Sequence, residues 1–424
     1  MITKPIPTQK QLDFMEWEFG LFFHFGIRTF YPGHKDWDGN EAEMAPEGFN
    51  PPNLDCRQWI RTAKEAGASY TVMTCKHHDG FANWPSAYTS YNISKAPWKD
   101  GKGDVVADYV AACREYGLKV GLYFSPADAN IIGRNLTAAE YDQNFIDQIS
   151  ELLTNYGKID YLWFDGCGSE GHEYDQERII GVIRRLQPEI LIFNMWDPDT
   201  RWIGNEEGIA PIRSYNEVED LDFSVRTDRK DALDERRFLP AECGMRMRRD
   251  TWFASEQDAD TVKTLDQLMG IYDYTVGRGI NLLLNIGPDA SGQLPPEDTK
   301  RVLEFGQALR ERFASPLLVL ENPVLDEEKE ELIIDLPKET TLNCIVLSEH
   351  LEEGEAIRGF QIYSQPVTAG RRLLFYEGYQ VGHKAICTFP AVASKRFILV
   401  FDAGKEKDCL KEVKLFYTKN QYSF

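Results

Sequence analysis

From residue 20 onward, short apolar runs alternate with stretches whose apolar residues recur at helical spacing. The first run, Gly20-Leu21-Phe22-Phe23-His24-Phe25-Gly26, is apolar on both faces, as a strand covered on both sides of a parallel sheet must be. A long loop from Arg28 to about Asn53 follows, carrying His34, Trp37, Glu41 and Glu43 among Gly and Pro. Leu54 to Ala66 has helical spacing and stops at Gly67. Ser69 to Cys75 is a β-branched strand with Lys76-His77-His78-Asp79-Gly80-Phe81 behind it. The alternation continues with a helix over Val105 to Tyr116 and a strand over Lys119 to Phe124. A Thr-capped helix over Thr137 to Tyr156, a strand over Lys158 to Asp165, a helix over Ile179 to Leu186 and a strand over Ile190 to Asn194 come next.

After Asn194 the pattern loosens into a polar, aromatic stretch. A strand over Phe238 to Cys243, a helix over Asp260 to Val276, the run Ile280-Asn281-Leu282-Leu283-Leu284-Asn285-Ile286 and a helix over Thr299 to Phe313 restore it. The alternation predicts an α/β fold with a parallel sheet. Eight clean repeats are not legible, yet the likeness of the first and last strands favours a (β/α)8-like barrel. A doubly wound sheet is the alternative, and it lacks a Gly-rich phosphate turn after its first strand. Beyond Pro316 and Pro323 the texture changes to short strands: Leu332 to Leu336, Asn343 to Leu347, Ala356 to Tyr363, Arg371 to Tyr379, His383 to Phe389, Arg396 to Phe401 and Val413 to Tyr417. The expectation is a catalytic barrel over 1–316 and a C-terminal antiparallel β-sandwich over 317–424.

Composition narrows the function classes. The 424 residues suit a barrel plus a sandwich, and 12% aromatic residues supply a large core. A net charge of −21 with pI near 4.9 argues against nucleic acid as a partner. The densest basic cluster, Arg246, Arg248 and Arg249, reads as a local salt-bridge group or a loop facing nearby acids. No apolar run reaches the roughly 20 residues that cross a bilayer, so no membrane partner is expected. The first residues lack the apolar stretch of a signal peptide, which reads literally as cytoplasmic, or as secreted or periplasmic if a leader has been removed. Most of the eight scattered cysteines read as buried thiols rather than a zinc site or a disulfide framework.

The chemistry collects at strand ends. In a barrel the C-terminal ends of the strands build the active face, and here they carry His24, then His77 and His78, then Tyr123, then Asp165, then Asn194 with Trp196. An isolated Asp165 could merely cap its turn, but a carboxylate closing the run Ile159 to Phe164 among three His and aromatic rings points to a site. Metal-site spacings such as His-x-His or His-Glu-x-x-His are missing, so no metal is expected. Aromatic rings beside polar groups suit a sugar, whose C–H face packs on a ring while its hydroxyls need fixed partners. Glycoside hydrolysis needs two carboxyls, about 5 to 5.5 Å apart when configuration is retained. Asp165 can be one; Glu206, Glu207, Glu242 and Glu256 are candidates for the other, and spacing alone does not choose.

The segments around His24, His77-His78-Asp79-Gly80-Phe81 with Trp84 and Ser86, Trp163-Phe164-Asp165-Gly166, and Gly277 to Pro288 resemble glycoside hydrolase family 29, the α-L-fucosidases. The matches run in order from about residue 17 to 295. The resemblance implies a retaining exo-α-L-fucosidase with no cofactor, acting on a fucosylated oligosaccharide. It places Asp165 at the nucleophile and His24, His77, His78 and Tyr123 around the fucose hydroxyls, with Trp252 on the methyl side. Gly204-Asn205-Glu206 resembles the acid/base motif of the branch preferring α1,3 and α1,4 linkages, which selects Glu206 over its neighbours. Trp37 and Glu43, in the loop after the first strand, are further substrate-binding candidates, and Trp196 is a residue that packs or binds.

Overall fold

The computed structural model describes residues 4–33, 39–132, 134–168, 171–221, 231–326, 328–366, 370–404, 406–419 and 422. Eight parallel strands form one sheet: β1 (Phe19–Phe23), β2 (Tyr70–Lys76), β3 (Lys119–Phe124), β4 (Tyr161–Phe164), β5 (Leu191–Phe193), β6 (Arg201–Trp202), β9 (Ala241–Arg246) and β10 (Asn281–Asn285). Their order is β5-β4-β3-β2-β1-β10-β9-β6, and a parallel bridge between Phe193 and Thr200 brings the two ends together as a nearly closed barrel. Burial on both faces explains why these strands read as continuous apolar runs.

Helices α2 (Cys56–Ala66), α3 (Val105–Tyr116), α4 (Ala138–Asn155), α5 (Gln176–Leu186), α6 (Leu265–Tyr274) and α7 (Pro296–Phe313) belong to the repeat units. Gly67 closes α2 in the left-handed region and Thr137 caps α4, as the sequence signalled, the latter in a capping box with Glu140, while α2 begins at a further cap, Asp55, which accepts from Arg57 N. A further helix, α1 (Gln9–Met15), precedes the first strand. It sets Phe14 against Tyr161 and, with Trp17, against Tyr70, while Gln11 Nε2 donates to the carbonyls of Asp199 and Phe238.

The irregular stretch has a physical cause. Residues 194–200 join β5 directly to β6 with Asn194 and Trp196 at positive φ, and the place of the next helix is taken by a hairpin of β7 (Glu217–Leu221) and β8 (Asp231–Phe238). The strand expected over Phe238 to Cys243 is therefore two pieces: the end of β8 and the start of β9, separated at Pro240, which has no N–H to give.

The C-terminal unit is a six-stranded antiparallel sheet in the order β11-β16-β12-β15-β13-β14. Its strands are β11 (Leu318–Glu321), β12 (Glu331–Glu349), β13 (Gly359–Ser364), β14 (Leu373–Gly378), β15 (Ala385–Asp402) and β16 (Leu410–Phe416). Two pairs of expected short strands are two long ones, β12 and β15, whose pairing shifts register between Asp335 and Thr340 and again between Leu342 and Cys344. Such shifts bend long strands, and the sheet encloses its own core around Ile345, Ile362, Phe397 and Leu415. It joins the barrel through an isolated bridge from Arg278 to Ala385 and through His383, whose Nε2 lies 3.0 Å from Glu18 Oε1. No described helix is long and apolar enough to cross a membrane.

Candidate active site

Strand alternation aims Phe22 and His24, Tyr123, Trp163 and Asp165, Phe193, and Gly244 and Arg246 into one cavity at the C-terminal ends of the strands. It measures about 950 Å³ with its open mouth, and His77, His78, Trp202, Glu206 and Trp252 also line it.

Asp165 stands at the end of β4. Its Oδ2 accepts from the Tyr123 hydroxyl at 2.7 Å and its Oδ1 from Cys167 N at 3.0 Å. Burial and the Asp165 charge push the Tyr123 hydroxyl well up, which keeps it a donor. His78 Nε2 is 3.6 Å from the same carboxylate. The Ser125 hydroxyl donates to Ala127 O at 2.9 Å and so receives His78 Nδ1 at 2.6 Å as a donor. On the other side, His24 Nδ1 meets Asn285 Oδ1 at 2.8 Å, and Asn285 Nδ2 donates to Trp252 O at 2.7 Å. Both imidazoles therefore leave Nε2 as the acceptor within the cavity.

Burial holds all three imidazoles neutral: His24 is pushed down to about 3, His77 well below the usual range, and His78 also down, though the Asp165 charge opposes it. His77 stacks on Tyr123 with ring centroids 5.5 Å apart, and its buried Nδ1 has no partner among the described residues. Neutral imidazoles with spare ring nitrogens suit hydroxyl groups, which both donate and accept. His77, His78 and Asp165 bring ligand atoms within 4.8 Å of one another, so a cation is geometrically admissible there. Both Asp165 oxygens, however, already accept hydrogen bonds.

The apolar wall comprises Trp163, Trp252, Trp202, Phe22 and Phe193. Trp252 lies 4.8 Å from His24, ring to ring. Gly287 makes this possible, because a Cβ there would fall 2.6 Å from Ala254 N and 2.8 Å from Trp252 O.

The second carboxyl comes from the segment after β6. Glu206 lines the same cavity as Asp165, half-exposed, with its Oε2 4.0 Å from Arg246. Glu207 lines an adjoining polar recess with Glu206, Arg246, Arg249, Asp260 and Lys263. Glu256 is exposed and lines neither. Glu242 is completely buried inside the barrel. The Arg246–Arg249 cluster divides: Arg248 pairs with Asp258 and Asp298, whereas Arg246 faces the cavity.

Of the two further binding candidates, Glu43 is not brought to the cavity. Glu43 is exposed on a turn whose backbone N bonds to Asn40 O, and Trp37 lies outside the described residues. Trp196 packs against Phe145, Phe164 and Tyr174. Asn285, Arg246 and Trp202 are cavity or supporting residues that sequence reasoning did not single out. Asn285 had a signal, a polar side chain closing an apolar strand just as Asp165 does.

The sequence profile described as alpha-L-fucosidase matches residues 4–312. The chain belongs to the α-L-fucosidase family, glycoside hydrolase family 29. Alpha-L-fucosidase 1 of Arabidopsis thaliana is 30% identical over 98% of this chain and 88% of its own length. The plasma alpha-L-fucosidase of Homo sapiens is 25% identical over 72% of this chain and 70% of its own. The crystal structure of a glycoside hydrolase 29 family member from an unknown rumen bacterium is 31% identical, with a TM-score of 0.87, covering 100% of this chain and 79% of that one. This chain is thus an α-L-fucosidase, a glycoside hydrolase with the barrel and C-terminal sheet of that family.

Proposed function

We propose that this α-L-fucosidase is a retaining exo-enzyme that removes terminal α-L-fucose by double displacement, with Asp165 as nucleophile and Glu206 as general acid/base. The observation that carries the reading is that these two carboxyls line one cavity whose wall is chiefly imidazole and aromatic ring. In the first step a carboxylate oxygen of Asp165 bonds to the anomeric carbon as the glycosidic C–O bond breaks, and Glu206 gives its proton to the departing oxygen. In the second step Glu206 takes a proton from water, whose oxygen displaces Asp165. His24, His77, His78 and Tyr123 hold the fucose hydroxyls, and Trp252 meets the methyl side.

The substrate is a branched, Lewis-type glycan with fucose α1,3- or α1,4-linked to GlcNAc. Two features support this: Gly204-Asn205-Glu206 resembles the motif of that branch, and the polar recess beyond Glu206 offers charged partners for neighbouring sugar hydroxyls. The test is fucose release from Lewis-type trisaccharides set against α1,2- and α1,6-fucosides and an aryl fucoside. Preference for the trisaccharides is expected. Equal or better release from α1,2- or α1,6-linked substrates would contradict the linkage, and release from none would leave only fucose binding.

A further inference from the structure

We propose that Glu242 is a positioning residue: its carboxylate, enclosed in the barrel, fixes the indole of Trp163 that floors the sugar site. The inference rests on the site reading given above. Glu242 lies on β9 and reaches across the barrel interior to β2 and β4. Its Oε2 accepts from the Tyr70 hydroxyl at 2.6 Å, and its Oε1 accepts from Trp163 Nε1 at 2.8 Å and from the Tyr161 hydroxyl at 3.4 Å. All three donors are neutral. A carboxyl hydrogen-bonded by a ring that itself lines the cavity sits directly beneath the chemistry without touching it.

Trp163 has its plane set by stacking, 4.2 Å from Phe193 at 11° and 5.4 Å from Tyr123 at 22°. Stacking between flat rings tolerates sliding within the plane; the hydrogen bond from Nε1 to Glu242 removes that freedom. The consequence reaches the nucleophile, because Tyr123 on the other face of the indole is the residue that donates to Asp165. Glu242, Trp163, Tyr123 and Asp165 form one continuous chain of contacts from the middle of the barrel to its mouth.

Burial raises the Glu242 carboxyl to about 7, against the pull of the hydrogen bonds from Tyr70, Trp163 and Tyr161. The other titratable groups around it stay protonated at that pH: burial pushes Tyr70 and Tyr161 well up, and the Cys243 thiol up to about 12. The ionised carboxylate is the stronger acceptor, so the hold on Trp163 tightens as pH rises through neutrality.

The experiment measures L-fucose affinity, with melting temperature alongside, in wild type, Glu242→Leu, Glu242→Gln, Trp163→Phe and the double variants. Glu242→Leu is expected to weaken fucose binding about tenfold, and Glu242→Gln, which keeps one carbonyl acceptor, to restore most of it. In the Trp163→Phe background neither change at Glu242 should have a further effect, because the donor is gone. Between about pH 6 and 8, wild-type affinity should rise more steeply than that of Glu242→Gln, a comparison that stands even where Glu242→Leu does not fold. Independent, multiplying effects of the two positions, or the same pH dependence in Glu242→Gln as in wild type, would overturn the inference while leaving the site reading intact. A wild-type protein that binds no fucose would overturn the site reading itself.

Discussion

At the scale of the residue, the site separates four acids that sequence spacing could not rank. Glu206 faces the cavity, Glu207 the neighbouring recess, Glu256 solvent, and Glu242 the interior of the barrel. A general acid matters most when the leaving group is poor. Glu206→Ala should therefore slow release from oligosaccharides by about 10² to 10⁴ while sparing an aryl fucoside with an activated leaving group. Steady-state rates on the two substrates check this; the same selective loss in Glu207→Ala instead would move the assignment by one residue. Asp165, the three His and Tyr123 were legible in the sequence because each ends an apolar strand, where a polar side chain has no packing reason to be. Arg246 was not, since it sits among Arg248 and Arg249, and only the fold shows that Arg248 turns away to Asp258 and Asp298.

At the scale of the element, β9 carries three different roles on one inward-facing row: Glu242 deep in the barrel, Gly244 beside the cavity and Arg246 at its mouth. A Cβ on Gly244 would meet nothing within 4 Å, and its backbone is not in the left-handed region. Gly244→Val should fold normally and put its methyl groups where the sugar goes. Overfilling of this kind costs about 1–3 kcal/mol, which is roughly five- to 150-fold in affinity. Fucose titration with a parallel melting curve measures it, and unaltered binding would mean the sugar lies elsewhere. The regular βα units were legible because period and caps agree in each. β6 was not, because two residues carry no period, and the long strands β12 and β15 were each read as two, because Pro337 and Pro390 interrupt their patterns.

At the scale of the whole molecule, buried acids tie stability to pH. Burial raises Glu242 and Glu349 to about 7. Burial and the neighbouring Glu349 raise Glu355 to about 8. Glu355 lies where the C-terminal sheet meets the barrel: it accepts from Asn216 N and Nδ2, both at 3.0 Å, on the segment that runs on from Glu206. A carboxyl whose folded value is raised binds protons more tightly when folded, so these three stabilise the protein below about 7 to 8 and lose that contribution as pH rises. The buried His have lowered values and act oppositely, losing stability as pH falls below about 6.5. Glu18, brought down to about 2 despite burial by its His383 and Lys384 partners, adds a loss below about 4.5. The melting temperature should thus rise from about pH 9 to 6.5, change little to about 4.5, and then fall. Glu355→Gln should flatten the alkaline limb, and a wild-type melting temperature that climbs from pH 6.5 to 9 would contradict the burial of these acids.

The central claim is that Asp165 forms the bond to fucose, and the direct measurement is turnover of an activated aryl fucoside by Asp165→Ala with and without azide. The expected result is a folded protein with activity lost, then restored by azide, with β-L-fucosyl azide as the product because the small anion enters from the face the carboxylate occupied. Near-wild-type turnover by Asp165→Ala without azide would contradict it.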